Sequence, residues 1–438
     1  MTEMVLTDFF DRAVHIYGDK RAIIDQNDNV YTYKDVNDRV NRLSHGLHSF
    51  GAQKGDRVVY LAPNTLEMYE GFYGVFQLGA VMVSLNTRLK SEDYLYILNH
   101  SESRVLFVDH ELYPLVEPII PKLEQVQTIV VHGAERSSGA YYSYDDWLAN
   151  QSKESFQRAE VSENDVCSLL YTSGTTGKPK GVMLTHRNNY LHALSSMHHL
   201  RVNDEDTLIH ILPMFHVNGW GSPFYYTANG MTESAPLTLA SYMSSEDRDQ
   251  TGNAYYAAKA KQGYEMIGTR VRVFNEHGQD VPADGETVGE LVVRGHGVMK
   301  GYWKNDEETK NTIRDGWLHT GDMATIDERN RVQIVDRKKD IIISGGENIS
   351  SLEVEDVFYR HPAVKEAAIV AKPDEKWGET PHAILVLREG HEATEEDMIG
   401  FVREHLAHFK CPRHVTFLDE LPKTASGKIQ KVYLREMV

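Results

Sequence analysis

Residues 171–182 read YTSGTTGKPKGV, and the fold class turns on them. Twelve positions hold three glycines (Gly174, Gly177, Gly181), four small hydroxyl residues (Thr172, Ser173, Thr175, Thr176) and two lysines (Lys178, Lys180) around Pro179. Glycine admits positive φ and close approach of backbone to a ligand. Hydroxyls, free N–H groups and ammonium groups are what an oligophosphate requires. The preceding CSLLY (Cys167 to Tyr171) predicts a buried strand, and Thr185 to Leu200 predicts a helix. The loop therefore lies where α/β folds hold phosphates. It is not a Walker A loop, because two residues rather than four separate Gly174 from Gly177, and Pro179 follows the first lysine. An ordinary flexible turn seldom combines this density of small residues with two lysines.

A chain of 438 residues exceeds one core and predicts two or more domains. Hydrophobic residues at 41% and charged residues at 25% are ordinary for a soluble protein. The net charge of −18 argues against a nucleic-acid binder, and anionic substrates must be captured by local features. The two cysteines, Cys167 and Cys411, lie far apart, which disfavours a disulfide scaffold or a cysteine metal site. The start MTEMVLTDFFDRA is acidic and amphipathic, unlike a signal peptide. No apolar run approaches the ~20 residues of a membrane helix. The expectation is a cytoplasmic protein with no transmembrane segment.

The first 135 residues alternate helix-like and strand-like segments, as in a doubly wound α/β layer. Residues 134–165 are polar and turn-rich and predict a connector or loosely packed edge. From about Gly268 to Gln333 short strands with close turns (TRVRVFNEHGQDVP, GELVVRG, RVQIVD) predict a small antiparallel or barrel-like subdomain. A β/α region follows from Asp336 onward, with DIIISGG, SLEVEDVFYRH and HAILVLREG as its leading segments.

Further segments join the loop: HILPMFHVNGW with His216 and Trp220, MTES with Thr232 and Glu233, HTGDM with Asp322, VDRKKDIIISGGENISSLEVE, and PKTASGKIQK with Lys428. In this order they resemble the motifs of the acyl-adenylate-forming superfamily of AMP-binding enzymes. PMFHVNGW and SGGENISSLEVE look most like medium- to long-chain fatty-acyl-CoA synthetases. The resemblance runs from about Thr7 to the C-terminus. It implies an α/β fold: a large N-terminal domain of doubly wound sheets plus a small β-barrel-like subdomain (1–336), and a small mobile C-terminal α+β domain (337–438). The implied reaction joins a fatty acid to CoA through acyl-AMP, with ATP, Mg²⁺ and CoA as cofactors or co-substrates. The long-chain members suggest a homodimer.

Residue by residue, the resemblance assigns catalytic positions to Lys428, His216 and Lys339. Lys428 bridges the acyl carboxylate and the α-phosphate, and Lys339 is the hinge of the C-terminal domain. Nucleotide and CoA contacts fall to Thr172, Ser173, Gly174, Thr175, Thr176, Gly177, Lys180, Thr232, Asp322, Arg337, Gly345, Gly346 and Glu347. Asp322 accepts from the ribose hydroxyls, Arg337 donates to the same sugar, and Ser344–Glu347 faces the pantetheine thiol. Glu233 is the Mg²⁺ ligand, since hard cations take carboxylate oxygens. Trp220 aligns with a tunnel-gating tryptophan, although buried tryptophans are more often core. His192, His198, His199, His405 and His408 read as helix faces, because no carboxylate or thiol cluster accompanies them.

The pattern breaks between His216 and Glu233, which are seventeen positions apart. The family places most of a second doubly wound layer here, and one βαβ unit alone needs ~30 residues. Asn229 also replaces the aromatic residue that stacks on adenine. Three explanations are open. The segment was removed by splicing, by a gene-model error or by engineering, with the full-length relative active; the fold closed over the gap and kept partial nucleotide binding; or the chain is a non-catalytic nucleotide-binding or interaction protein that meets partners through the exposed surface. The first best explains why the other motifs are intact.

Overall fold

The computed structural model describes residues 3–172, 178–201, 206–221, 238–241, 245–424 and 427–438. The chain divides into two compact units: Met1–Thr238 with Glu265–Arg270 and Val293–Leu318, and Leu239–Tyr264 with Val271–Val292 and His319–Val438.

An eight-stranded sheet organises the first unit. Its order is Gly301–Tyr302, Lys180–Thr185, Val166–Thr172, Val81–Ser84, Arg57–Leu61, Ser103–Asp109, Thr128–His132 and Tyr142–Ser143. Pairing is parallel from Val166–Thr172 out to Tyr142–Ser143 and antiparallel on the other side. The near-continuous apolar runs of its central strands suit a parallel sheet covered on both faces. On one face, Val59, Val83, Leu106, Val108, Val131 and Leu169 form a single cluster with Tyr94, Ile97 and Leu98 of the helix Ser91–His100. Each such side chain contributes roughly 1.5–3 kcal/mol by leaving water.

Helix placement follows from local chemistry. The helix Tyr33–Ser49 begins at Thr32, whose hydroxyl accepts from Asp35 N, while the Asp35 carboxylate accepts from Thr32 N at 2.8 Å. That reciprocal cap satisfies two donors that would otherwise face water unpaired. Residues 134–165, expected to be a connector or loosely packed edge, supply the edge strand Tyr142–Ser143 of the sheet. They contain the helix Tyr144–Ala149, whose Tyr144, Trp147 and Leu148 are buried. The Trp147 ring occupies the space that a side chain on Gly46 would need. One large apolar residue outweighs its polar neighbours.

The second unit holds two sheets. In one, Thr269–Phe274, Gly289–Gly295, Trp317–Ile326 and Val332–Arg337 lie side by side, around Val273, Val281, Leu291, Ala324 and Val332. In the other, Val364–Asp374 and Gly378–Leu387 form a long antiparallel hairpin, with Ile342–Ser344 and Glu347–Ile349 beyond it and His414–Phe417 parallel to Gly378–Leu387. Successive residues of the hairpin serve opposite faces, as the period of a strand requires. Ala367 and Ile369 pack with Val354, Val357 and Phe358 of the helix Ser351–Tyr359. Ala368 and Val370 pack with Leu434 of the helix Lys431–Glu436. Among the described residues no helix is long and apolar enough to cross a membrane.

Candidate active site

In the first unit the glycine-rich loop closes a β-hairpin. Val166–Thr172 pairs with Lys180–Thr185, setting Tyr171 opposite Gly181 and Thr172 opposite Lys180. Ser173, Gly174, Thr175, Thr176 and Gly177 lie outside the described residues. The stem is held from several sides. Tyr171 Oη lies 2.8 Å from His100 Nδ1, and Trp303 Nε1 donates to the His100 carbonyl at 3.1 Å. Burial, then the nearby Lys304, lowers the His100 pKa against the opposing pull of Glu102. Trp303 N donates to Gly181 O at 2.7 Å.

The two lysines of the motif take different surroundings. Lys180 is ion-paired with Glu308 of the helix Asp306–Thr312, with its ammonium 5.2 Å from the Tyr302 ring centre. Lys178 sits 4.9 Å over the Tyr96 ring. Lys180 thus braces the stem in this structure. Gly181 owes its place to space rather than to φ: a Cβ there would lie 3.0 Å from Leu169 Cδ1 and 3.1 Å from Tyr171 Cζ.

His216 is half-buried at the start of the turn that enters the short helix Val217–Trp220, and its carbonyl accepts from Gly219 N and Trp220 N at 2.8 Å. Trp220 is fully buried, 4.6 Å from the Phe72 ring, and its indole N–H donates to Asn189 Oδ1 at 3.1 Å. The approach to His216 is fixed by Asn64, which the sequence reading missed. Its amide donates to the carbonyls of His210 and Leu212 at 3.0 and 2.9 Å and accepts from Met214 N at 2.7 Å. Asn64 follows the strand Arg57–Leu61 in an APN turn, the C-terminal end of a parallel strand where ligands of open sheets gather. Thr232 and Glu233 lie outside the described residues.

The second unit brings other candidates together. Antiparallel pairing sets Asp322 opposite Arg337, and Arg337 Nε lies 2.7 Å from Asp322 Oδ1. The carboxylate is largely buried and the guanidinium half-exposed. Next to them Glu290 takes Lys338 Nζ at 3.0 Å and His319 Nδ1 at 3.2 Å. Burial opposes the Glu290 charge, yet these two partners hold its pKa below the usual range. Removal from water, then the cations Arg337, Arg435 and Lys428, lower the Lys339 ammonium pKa, with Asp340 pulling the other way. Arg337, Lys339 and Lys428 therefore share one electrostatic neighbourhood.

Lys428 is exposed on a short loop. Its N–H donates to Thr424 Oγ1 at 3.1 Å, its carbonyl accepts from Thr424 N at 2.7 Å, and Gly427 turns the chain at φ 85°. Ser344 and Glu347 face each other across Gly345 and Gly346, whose φ values of 61° and 90° make a two-residue hairpin that side chains would strain. Gly345 N donates to Trp377 O at 2.8 Å, and the Trp377 ring lies against Gly345. Trp377 is 37% exposed, with Lys376 4.8 Å and Arg413 5.6 Å from its ring centre. It was not among the sequence candidates. A lone Trp in DEKWGE carries no signal until pairing of Ser344 with Gly378 places it beside the glycines.

Residues 10–232 and 221–303 match the AMP-binding enzyme family, and residues 353–428 match the AMP-binding enzyme C-terminal domain. The chain belongs to the AMP-binding enzymes. It is 33% identical to probable acyl-activating enzyme 8 of Arabidopsis thaliana, with 99% of this chain and 97% of that protein covered. It is also 33% identical to the peroxisomal butyrate–CoA ligase AAE11 of the same plant, over 98% and 92%. ATP-bound MatB from Rhodopseudomonas palustris superposes at a TM-score of 0.85 with 25% identity, covering 100% of this chain and 99% of that one.

AMP-binding enzymes related to this chain are longer inside. The alignment to acyl-activating enzyme 8 extends over 527 positions, against 438 residues here. The two N-terminal family matches meet at 221–232, the interval where the motifs run together. The break seen in the sequence is therefore a property of this chain relative to its family.

Proposed function

We propose that this chain is an ATP-dependent acid–CoA ligase acting on an aliphatic, fatty-type carboxylic acid. A substrate carboxylate oxygen bonds to the α-phosphorus of ATP as the bond to pyrophosphate breaks. The CoA thiolate then bonds to the acyl carbon and AMP leaves. Both steps gather negative charge, so fixed cations aimed at the reacting atoms supply most of the help a protein can give. The observation that carries the reading is the Asp322–Arg337 pair with Lys428 in reach of the same cationic neighbourhood. Asp322 offers acceptors to a ribose diol, Arg337 a donor, and Lys428 a mobile positive charge on a glycine-hinged loop. The Gly345–Gly346 hairpin beside Trp377 offers bare backbone to a thiol arm.

Mg²⁺ supplies charge neutralisation on the phosphates in chemistry of this kind. Glu233, its expected ligand, is outside the described residues. The hinge at Lys339, a domain boundary at 336/337 and a homodimer belong to the same proposal. So does the aliphatic preference, which the likeness to the butyrate–CoA ligase supports.

The test is acid-dependent ATP–pyrophosphate exchange over an aliphatic series from acetate to palmitate, followed by CoA-thioester detection. Lys428→Ala should abolish exchange. A second reading, a catalytically silent relative, is favoured by the shortened interval at 221–232. Absence of exchange with every acid would select it.

A further inference from the structure

The helix Lys431–Glu436 is six residues long and follows the Lys428 loop directly. It grips both ends of the segment 336–340. At its first residue, Lys431 Nζ lies 2.7 Å from Glu355 Oε1 and donates to Ser351 Oγ at 2.6 Å. Ser351 Oγ donates in turn to Asp336 Oδ2 at 2.9 Å, and Asp336 is buried. At the fifth residue, Arg435 Nη2 donates to the Lys339 carbonyl at 2.9 Å and pairs with Asp340. Leu434, fully buried against the long hairpin, stops the helix from sliding.

We propose that Arg435 is a positioning residue: it couples the backbone at Lys339 to the placement of Lys428. This inference rests on the reading of Lys428 as the lysine that meets the acyl phosphate. A salt bridge serving stability alone needs the Asp340 carboxylate and nothing more. The bond to the Lys339 carbonyl adds a second anchor: that oxygen lies in the rigid peptide plane that also holds Asp340 N, so rotation about ψ of Lys339 turns the oxygen, Asp340 and Arg435 together. Asp340 N and Ile341 N both donate to Arg337 O, at 2.8 and 3.1 Å, so the same rotation also opens the turn. Arg435 stands seven residues beyond Lys428 on continuous chain. With Arg435 holding the peptide plane that follows Lys339, a rotation at 339 carries the Lys428 loop with it. The guanidinium suits the task, since its rigid fork serves a carbonyl and a carboxylate together where an ammonium is a single point charge.

The experiment is amide hydrogen exchange on the full chain, comparing wild type with Arg435→Ala, Arg435→Lys and Asp340→Asn. Arg360→Ala, which removes an exposed pair with Asp356, is the control. Arg435→Ala should speed exchange at least tenfold at Asp340–Ile341 and also in Lys423–Gln430, with Ile369–Val370 unchanged. Asp340→Asn should reach Lys423–Gln430 as well, although it lies on the other segment. Arg435→Lys should restore part of the protection. Acceleration confined to Val432–Met437, or spread evenly over the unit, overturns the proposal. The readout needs no turnover, so it separates the two claims. Coupled exchange in an inactive chain leaves Arg435 in its role and sinks the ligase reading; turnover without coupled exchange does the reverse.

Discussion

Two aliphatic stretches of this chain meet opposite fates. Val105, Leu106, Phe107 and Val108 are fully buried in the strand Ser103–Asp109, paired on both sides. Leu208–Leu212, written LIHIL, is as rich in branched side chains, yet Ile209 is 81% and Ile211 83% exposed. Its carbonyls at His210 and Leu212 accept from the side-chain amide of Asn64. Strand preference records neighbours more than backbone taste, and among the described residues the second stretch joins no sheet. It ends nine positions before 221–232, where the two family matches overlap. The first sheet joins eight strands, while beyond the helix His186–Leu200 the two family matches overlap and the chain is shorter than its relatives.

The comparison breaks most visibly with a charge. Val108→Asp places an unpaired carboxylate in the dry sheet, so no cooperatively folded protein should be recovered by circular dichroism. Ile211→Asp should move stability by no more than about 0.5 kcal/mol. Equal damage from both would show that 208–212 is covered in solution.

Acid sharpens the contrast next. His186 is buried beneath the complete layer; burial, against the pull of Asp165, lowers its pKa from 6.5 to about 4, and its Nδ1 accepts from Leu6 N at 3.4 Å. The folded state prefers the neutral ring, so this contribution is whole above pH 6.5 and is lost as pH falls toward about 4. The loss is on the order of 3 kcal/mol. Urea titrations at stepped pH should show that slope, and His186→Gln should flatten it. His210→Gln, on the exposed stretch, should change it less.

Glycines give the smallest effect. Gly181→Ala crowds Leu169 and Tyr171 in the loop stem and should cost about 1–2 kcal/mol by thermal melting. Gly139→Ala meets nothing within 4 Å and should be neutral. A neutral Gly181→Ala would mean that the stem yields more than the rest of the sheet.

What could be read from the residues alone follows the same division. The strand before YTSGTTGKPKGV and the helix after it were legible because their residue patterns are local. Asp322 and Arg337 were legible as motif members. Their facing register was not, since it depends on how two strands slide. Asn64, Trp377 and Arg435 escaped because each acts through a partner far away in sequence. Trp220, assigned to a gate by resemblance, is fully buried here, and its indole N–H donates to Asn189. Tyr144–Ala149 was hidden by the polar residues around one buried Trp147.

The account stands or falls on whether the complete half and the shortened half still make one catalyst. ATP–pyrophosphate exchange by the purified 438-residue chain measures that directly. The prediction is exchange that requires an aliphatic acid, falls at least a hundredfold in Lys428→Ala and is weakened in Asp322→Ala. A folded chain that exchanges with no acid, or exchanges equally well without Lys428, would contradict it.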